Sequence, residues 1–576
     1  MEPPLPWYHR RKNMAIPGED SSKNWWAEGD TPVHNDSRVN YFVDGRSVML
    51  TMCLHYLKAR TYIYLASWGL SPTMEIVRGT DQHAGPDGSP KQEALLAQLR
   101  AVGLQEADID FWRSHTLTLQ EVLGYAVSKG VDVKVLLWDC LPLPGLAYYK
   151  PKEAYEQLVQ VGVTCIRDDS ARGIVHHPIE SLHQKCSIVD GAYAFVGGID
   201  PMIGLGGDFD RWDTTAHLFS APLRCTQEGI NPHPWHDVHA IIEGPAAADV
   251  EYCFRQRWND VVQRHSWDNK LLLAEHPPVP PLESQSIVQI ARTVPEHTYK
   301  FEPIIVRGIA QLYANALNNA HHFVYLENQY FWLHSYIGID ISFLGTDNPE
   351  MERNIHELSA ALRRGATVTI VLPDHPDPGR AYTDAALTRL REEAPDAVQE
   401  RRLMAFCLGT SHHTEDGEHY RPIYVHAKVA IVDDLWATNG SANLNNRGMR
   451  DDIEMNVATL DRELAYGLRL MLWSEHLGLI NDDDLLVLAR HLSHQPQSPQ
   501  ENAQARHIWH YLQETLGDPV IGLHMMFDRA QDNLRRYKTK QPLLGHLLPY
   551  LTAEEAAQEG LHFNEKRGWV EETQSF

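Results

Sequence analysis

The chain has 576 residues, 43% hydrophobic and 22% charged, an ordinary balance for a globular protein and too long for a single core. Its formal net charge of −25 argues against a nucleic-acid binder and against tight attachment to strongly anionic membranes. The 7 cysteines are scattered singly, with no C-x-x-C pair, which argues against a disulfide framework or a cysteine zinc site.

Residues 1–40 are polar and read as an irregular lead-in. Met1 through Lys12 lacks the apolar core of a signal peptide, and no run reaches the ~20 apolar residues of a membrane span, so a cytoplasmic protein is expected. Asp44-Gly45 opens a helical stretch that leads into the buried-strand pattern Tyr62–Trp68. Residues 79–92 read as a loop, 119–129 as a helix ending at Gly130, 131–138 as a strand and 151–161 as a helix. This alternation predicts an α/β fold with a mostly parallel sheet under helices. The run Pro-Pro-Val-Pro-Pro at 277–281 marks a linker, placed at 276–300. The same order then returns: helix 303–319, strand 323–327, helix 352–364, strand 366–372, helix 380–393. Two tandem α/β lobes follow, 41–275 and 301–480, with a helical C-terminal region at 481–576.

Each lobe carries one copy of a motif. His183-Gln184-Lys185 is followed by Asp190, Gly197, Gly198 and Asp200; His426-Ala427-Lys428 is followed by Asp433, Gly440, Ser441 and Asn443. Both copies read H-x-K-x4-D, with a glycine seven residues after the Asp. On a strand, residues i and i+2 share a face, so each copy presents one imidazole and one ammonium together. Two His and two Lys around one pocket suit a phosphate, with Asn443 and Ser441 as further hydrogen-bond donors. The glycines allow close backbone approach. Asp190 and Asp433 are expected to be structural.

Facing imidazoles imply a two-step displacement. One attacks phosphorus, while the other protonates the leaving alkoxide and then activates the acceptor. The lysines supply the stabilising charge, so no metal is required. Carboxylates must fix the imidazole tautomers. Asp213, 30 residues after His183, and Glu454, 28 after His426, are the expected orienting acids. The acidic run Asp208-Phe209-Asp210 with Asp213 is compatible with calcium but lacks EF-hand spacing, so calcium is not indicated. His176-His177, His412-His413 and His236 with His239 lack a nearby third ligand and read as loop or core residues.

The paired H-x-K-x4-D motifs resemble the phospholipase D superfamily. Phe195–Asp200, Pro234-Trp235-His236-Asp237-Val238, Gln256–Asn259 and Tyr325–Phe331 resemble its eukaryotic-type enzymes. That resemblance implies a pseudo-twofold two-lobe α/β fold with one active site at the lobe interface. It implies hydrolysis of a phosphatidylcholine-like glycerophospholipid at a membrane surface to phosphatidic acid and headgroup, with water or a small alcohol as acceptor. Carried over by position, His183 is the nucleophile, His426 the general acid/base, and Lys185, Lys428 and Asn443 the phosphate holders. The N-terminal lipid-targeting module of the eukaryotic enzymes has no counterpart in the 40-residue lead-in. A cardiolipin synthase-like phosphatidyltransferase is the alternative, though that family's N-terminal membrane helices are missing from the sequence. A nuclease is disfavoured by the charge, and a dead scaffold by the intact His and Lys pairs.

Overall fold

The structure is a computed structural model that describes residues 24–140, 149–171, 180–204, 207–224, 231–277, 279–284, 286–301, 304–335, 348–376, 379–492, 497–565 and 567–570. His176-His177 and Cys225 lie outside the described residues. Among them the chain builds two mixed sheets with helices packed against them.

The first sheet contains β1 (Arg38–Val43), β2 (Tyr62–Ser67), β3 (Asp132–Trp138), β4 (Thr164–Asp168), β5 (Cys186–Val189), β6 (Tyr193–Gly197) and β7 (Val238–Glu243). Its order is β1-β7-β6-β5-β2-β3-β4. The second contains β8 (Ile287–Val294), β9 (Phe323–Asn328), β10 (Thr367–Val371), β11 (Leu403–Thr414), β12 (Gly417–Val425), β13 (Lys428–Val432), β14 (Trp436–Gly440) and β15 (Glu454–Leu460). Its central order, β8-β15-β14-β13-β9-β10-β11, repeats the first sheet strand for strand. Directions repeat as well: β2-β3-β4 and β9-β10-β11 run parallel, and the other neighbours antiparallel.

The expected mostly parallel sheet is therefore corrected to a mixed one. Parallel pairs occur where a helix carries the chain over, as Pro151–Gln160 does between β3 and β4 and Arg380–Glu393 between β10 and β11. The motif strands are instead joined by the turns 190–192 and 433–435, too short for a crossover. The expected linker at 276–300 is corrected too. It contains β8, whose apolar residues Val288 and Ile290 are buried, and β8 also pairs with Val33–His34 of the lead-in.

Local signals account for several elements. Helix Leu119–Ser128 begins at Thr118, whose side chain accepts from the Glu121 amide while Glu121 reaches back to the Thr118 amide. Left-handed Gly130 (φ 87°) follows its end. The C-terminal region contributes the helices Asp482–Leu492, Pro499–Leu516 and Pro519–Lys538, and a short strand, Leu547–Pro549, that pairs with β11. No described helix is long and apolar enough to cross a membrane.

Both motif aspartates sit at the turn after their strand, in the left-handed region (φ 53° at Asp190, 55° at Asp433). Asp190 accepts from the amides of Arg60, Thr61 and Tyr62; Asp433 accepts from those of His321, His322 and Phe323. Each carboxylate thereby ties its motif hairpin to the start of the neighbouring strand, β2 or β9. Asp433→Ala strands three amide donors beside a buried turn. Urea denaturation should show a loss of about 1 to 3 kcal/mol, the cost of the buried Phe323 donor, since water reaches the exposed His321 and His322. A loss below ~1 kcal/mol would contradict this role.

The two lobes interlock where β6 and β7 meet β14 and β15. The strands that lead to the motifs cross between lobes in the same way on both sides. The His183 amide donates to the Ile453 carbonyl, and the Ile453 amide to the Ser181 carbonyl. The His426 amide donates to the His236 carbonyl, and the Tyr424 amide to the Pro234 carbonyl. One residue beyond each of these crossing points stands an acid: Glu454 after Ile453, and Asp237 after His236.

Candidate active site

That backbone exchange decides the chemistry of the site. His183 Nδ1 lies 3.0 and 3.1 Å from the two Glu454 carboxylate oxygens. His426 Nδ1 lies 2.7 Å from Asp237 Oδ2. Each imidazole is therefore held by a carboxylate of the other lobe. An acid at Nδ1 keeps the proton there and leaves the Nε2 lone pair free, which is the tautomer an attacking imidazole needs.

Glu454 is one of the two acids expected from the sequence, but it serves His183 rather than the His of its own lobe. The orienting role expected of Asp213 is corrected to Asp237. The Asp213 carboxylate is fully buried and turned away from both motif imidazoles, accepting from the Thr214 and Trp235 amides and from Arg224 and lying 3.3 Å from His217 Nδ1. Asp213 thus fixes the segment that ends in Asp237. Of the acidic run, Asp210 pairs with Arg78 and accepts from the Trp212 amide.

Glycine is needed at two points beside these acids. A Cβ on Gly198 would stand 2.0 Å from Asp237 Oδ1, and one on Gly440 would stand 2.1 Å from Asn456 Oδ1. Gly197 lies against His239 in the same crossing. Ser441 occupies the place that Gly198 holds in the first lobe. Its hydroxyl donates to Glu454 and accepts from the Met455 amide, so its expected phosphate contact is corrected to a support for Glu454. A hydroxyl has one proton to give, and the carboxylate takes it.

His183, Lys185 and His426 precede β5 and β13, and Lys428 is the first residue of β13. Both ammonium groups bend back to the carbonyl of their own His. Lys185 Nζ also lies 3.3 Å from Asp200. Lys428 Nζ donates to Gln329 Oε1 at 3.1 Å, and the same oxygen accepts from Asn443 Nδ2 at 3.2 Å. Asn443 Oδ1 is buried without a hydrogen-bond partner among the described residues. Arg211, absent from the expected set, pairs with Asp200 at 2.7 Å. Gln329 was legible only as part of a recognisable run, and Arg211 only as the neighbour of Asp213. Trp68 stacks on Trp138 and stands edge-on to His183, and Trp235 stacks on Tyr424 with its ring 4.8 Å from that of His426.

The electrostatics follow from burial and crowding. Burial, then Lys185 and Lys428, hold the His183 imidazole well below its ordinary pKa. Burial, then Lys428 and Arg211, do the same to His426. Burial pushes Asp237 up to about 6 and, with Asp452 nearby, raises Glu454 well above the carboxylate range. Burial also draws the Lys185 ammonium down and the Lys428 ammonium well down, so the empty site resists protonation as a whole and an arriving anion favours the charged forms.

Behind His426 lies a second, fully buried cluster. His236 reaches Glu327 at 2.8 Å and Glu475 at 2.9 Å; His217 reaches Glu475 at 2.8 Å; His476 reaches Glu327 at 2.9 Å. Against the effect of burial, Glu475, Glu327 and Asp44 raise His236 well above its ordinary pKa, making the cluster an ionic network. The ligand atoms of Asp44, His217, His236 and Glu475 all lie within 4.8 Å of one another, close enough to hold a cation if the histidines were neutral. Local spacing offers His236 no third partner because its acids stand far away in the chain.

Known proteins resemble the chain in sequence. Residues 105–348 match the family model described as phospholipase D, and residues 313–473 the one described as cardiolipin synthase, PLD-like domain. Phospholipase D alpha 1 of Carica papaya is 28% identical over 490 residues, covering 64% of this chain and 59% of that protein. Phospholipase D alpha 1 of Zea mays is 27% identical over 544 residues, covering 74% of this chain and 63% of that protein. The chain spans roughly three fifths of the length of these relatives. Among solved structures, phosphatidylserine synthase of Haemophilus influenzae Rd KW20 aligns with a TM-score of 0.41 at 12% identity, covering 74% of this chain and 83% of that one.

Proposed function

Because the chain belongs to the phospholipase D superfamily, we propose that it cleaves the headgroup ester of glycerophospholipids by double displacement at phosphorus. The observation that carries this reading is the pair of cross-lobe units, His183 with Glu454 and His426 with Asp237, set around Lys185 and Lys428.

In the first step His183 Nε2 attacks phosphorus. The P–N bond forms, the P–O bond to the headgroup breaks, and His426 gives its proton to the departing alkoxide. The arriving phosphodiester brings the negative charge that lets His426 hold that proton among the cations. In the second step His426 takes a proton from water or a small alcohol, whose oxygen attacks phosphorus and breaks the P–N bond. Phosphatidic acid or a phosphatidyl alcohol leaves. Lys185, Lys428 and Asn443 hold the equatorial oxygens, and the lysines stabilise their growing charge. No metal enters either step. A phosphatidylcholine-like lipid at a membrane surface is the substrate this reading favours, and the net charge of −25 weighs against a polynucleotide. The described cysteines are free and buried, which suits the reducing cytoplasm.

Transphosphatidylation tests the reading. Purified protein with phosphatidylcholine micelles, ethanol and a chelator should yield phosphatidylethanol by mass spectrometry. Folded protein that makes neither phosphatidylethanol nor phosphatidic acid from any glycerophospholipid headgroup would sink it.

A further inference from the structure

The two halves of the site differ at one matched position. Asp200 and Asn443 each stand 17 residues after their motif His, each close to the pocket. In the second lobe this position is neutral: the Asn443 amide shares Gln329 Oε1 with Lys428, so no carboxylate stands at that position against the ammonium. In the first lobe it is a carboxylate, 3.3 Å from Lys185. An unbalanced acid there would cancel Lys185 and repel a phosphate, and a buried pocket screens such charges little.

The acid is fully engaged. Asp200 accepts from Ser67 Oγ, from the Trp68 amide at 3.2 Å and from Arg211 Nη1 at 2.7 Å. The partner that cancels its charge is Arg211, 2% exposed, whose guanidinium lies 5.6 Å from the Trp68 and Phe209 rings and 5.2 Å from the Trp235 ring. Its backbone is fixed by the start of the first-lobe helix Asp44–Lys58, where a Cβ on Gly45 would stand 1.9 Å from the Arg211 carbonyl oxygen. Among the described residues, Arg211 Nε has no hydrogen-bond partner. The guanidinium is thus held rigidly, with its charge aimed at one carboxylate.

We propose that Asp200 and Arg211 form one neutral unit that does in the first lobe what Asn443 does alone in the second, so that Arg211 is a positioning residue that keeps Lys185 available for phosphate. Arg211 is then dispensable only when Asp200 is replaced as well. Removing Arg211 exposes the acid, and removing both recreates the second lobe's arrangement.

The inference rests on the phosphodiester reading of the site, so its test includes binding without turnover. Inorganic phosphate binding by titration calorimetry and lipid turnover are measured for wild type, Arg211→Met, Asp200→Asn and Asp200→Asn/Arg211→Met, with folding checked by thermal melting. Arg211→Met should weaken phosphate at least thirtyfold and lower kcat/KM at least a hundredfold. The double variant should recover both to within tenfold of wild type, and Asp200→Asn alone should change either by less than tenfold. A folded double variant as impaired as Arg211→Met would overturn the pairing, as would wild type that binds no phosphate. Should Arg211→Met not fold, the double variant decides: phosphate binding within tenfold supports the pairing, and loss of binding or folding overturns it. Wild type that binds phosphate but cleaves no diester would sink the proposed activity and leave the pairing testable by binding alone.

Discussion

His183→Asn should lower phospholipid turnover by about a millionfold, to the background of the assay, the scale seen when a covalent nucleophile is deleted from an enzyme that depends on it. The amide keeps much of the shape and polarity of the imidazole but has no lone pair to attack phosphorus. His426→Asn should be nearly as slow overall yet differ in kind. A substrate with a good leaving group, such as a p-nitrophenyl phosphodiester, needs little protonation, so this variant should release one equivalent of p-nitrophenol and then stall as the covalent adduct. A burst from His183→Asn, or none from His426→Asn, would reverse the assignment of nucleophile and acid. Equal, wild-type-like turnover in both variants would remove the two-imidazole scheme.

The second large effect concerns an acid. Asp237→Asn should lower kcat by about a thousandfold or more, because an amide at His426 Nδ1 admits the wrong tautomer and leaves an imidazolium uncompensated. Its 2.7 Å partner is His426, so its leaving-group dependence should be steep: large for lipid, small for the p-nitrophenyl ester. Asp213→Asn should show no such dependence, since that carboxylate touches Arg224, His217 and the Trp235 amide and neither motif imidazole. If Asp213→Asn reproduced the leaving-group dependence and Asp237→Asn did not, the cross-lobe assignment would be wrong. Glu454→Gln provides the matching test at His183, with a loss that does not depend on the leaving group's pKa.

Much of this site was legible in the sequence because it is written twice. His183, Lys185, His426 and Lys428 stand in matched spacing, and their convergence follows from the repeat of strand order in the two sheets. The helices and strands around them were legible for the usual reason, apolar periodicity bounded by glycine and proline. Asp237 was not, because counting residues from a motif assumes that its acid lies in the same lobe. The lobes exchange segments instead, and Asp237 is 189 residues from the imidazole it orients. A signal was present: Asp237 immediately precedes β7 and Glu454 opens β15, and these are corresponding strands of the repeat. Aligning the two halves by strand rather than by distance from His would have paired them.

Ser441 and the parallel sheet failed for local reasons. A hydroxyl beside a phosphate pocket reads as a phosphate donor until a buried carboxylate is seen to take its proton. Alternating helix and strand reads as parallel until the short turns at 190–192 and 433–435 are weighed. The buried network of His217, His236 and His476 with Asp44, Glu327 and Glu475 joins residues from across the chain, and no spacing rule anticipates it.

The central claim is a covalent phosphoryl group on His183, and the direct measurement is its capture. Wild type and His426→Asn are mixed with a short-chain p-nitrophenyl phosphodiester, quenched in alkali within the burst and digested, and the peptides are read by mass spectrometry. The account predicts an alkali-stable, acid-labile adduct on the peptide bearing His183, abundant in His426→Asn, transient in wild type and missing from His183→Asn. An adduct on His426, or turnover at full rate with no adduct on either imidazole, would contradict it.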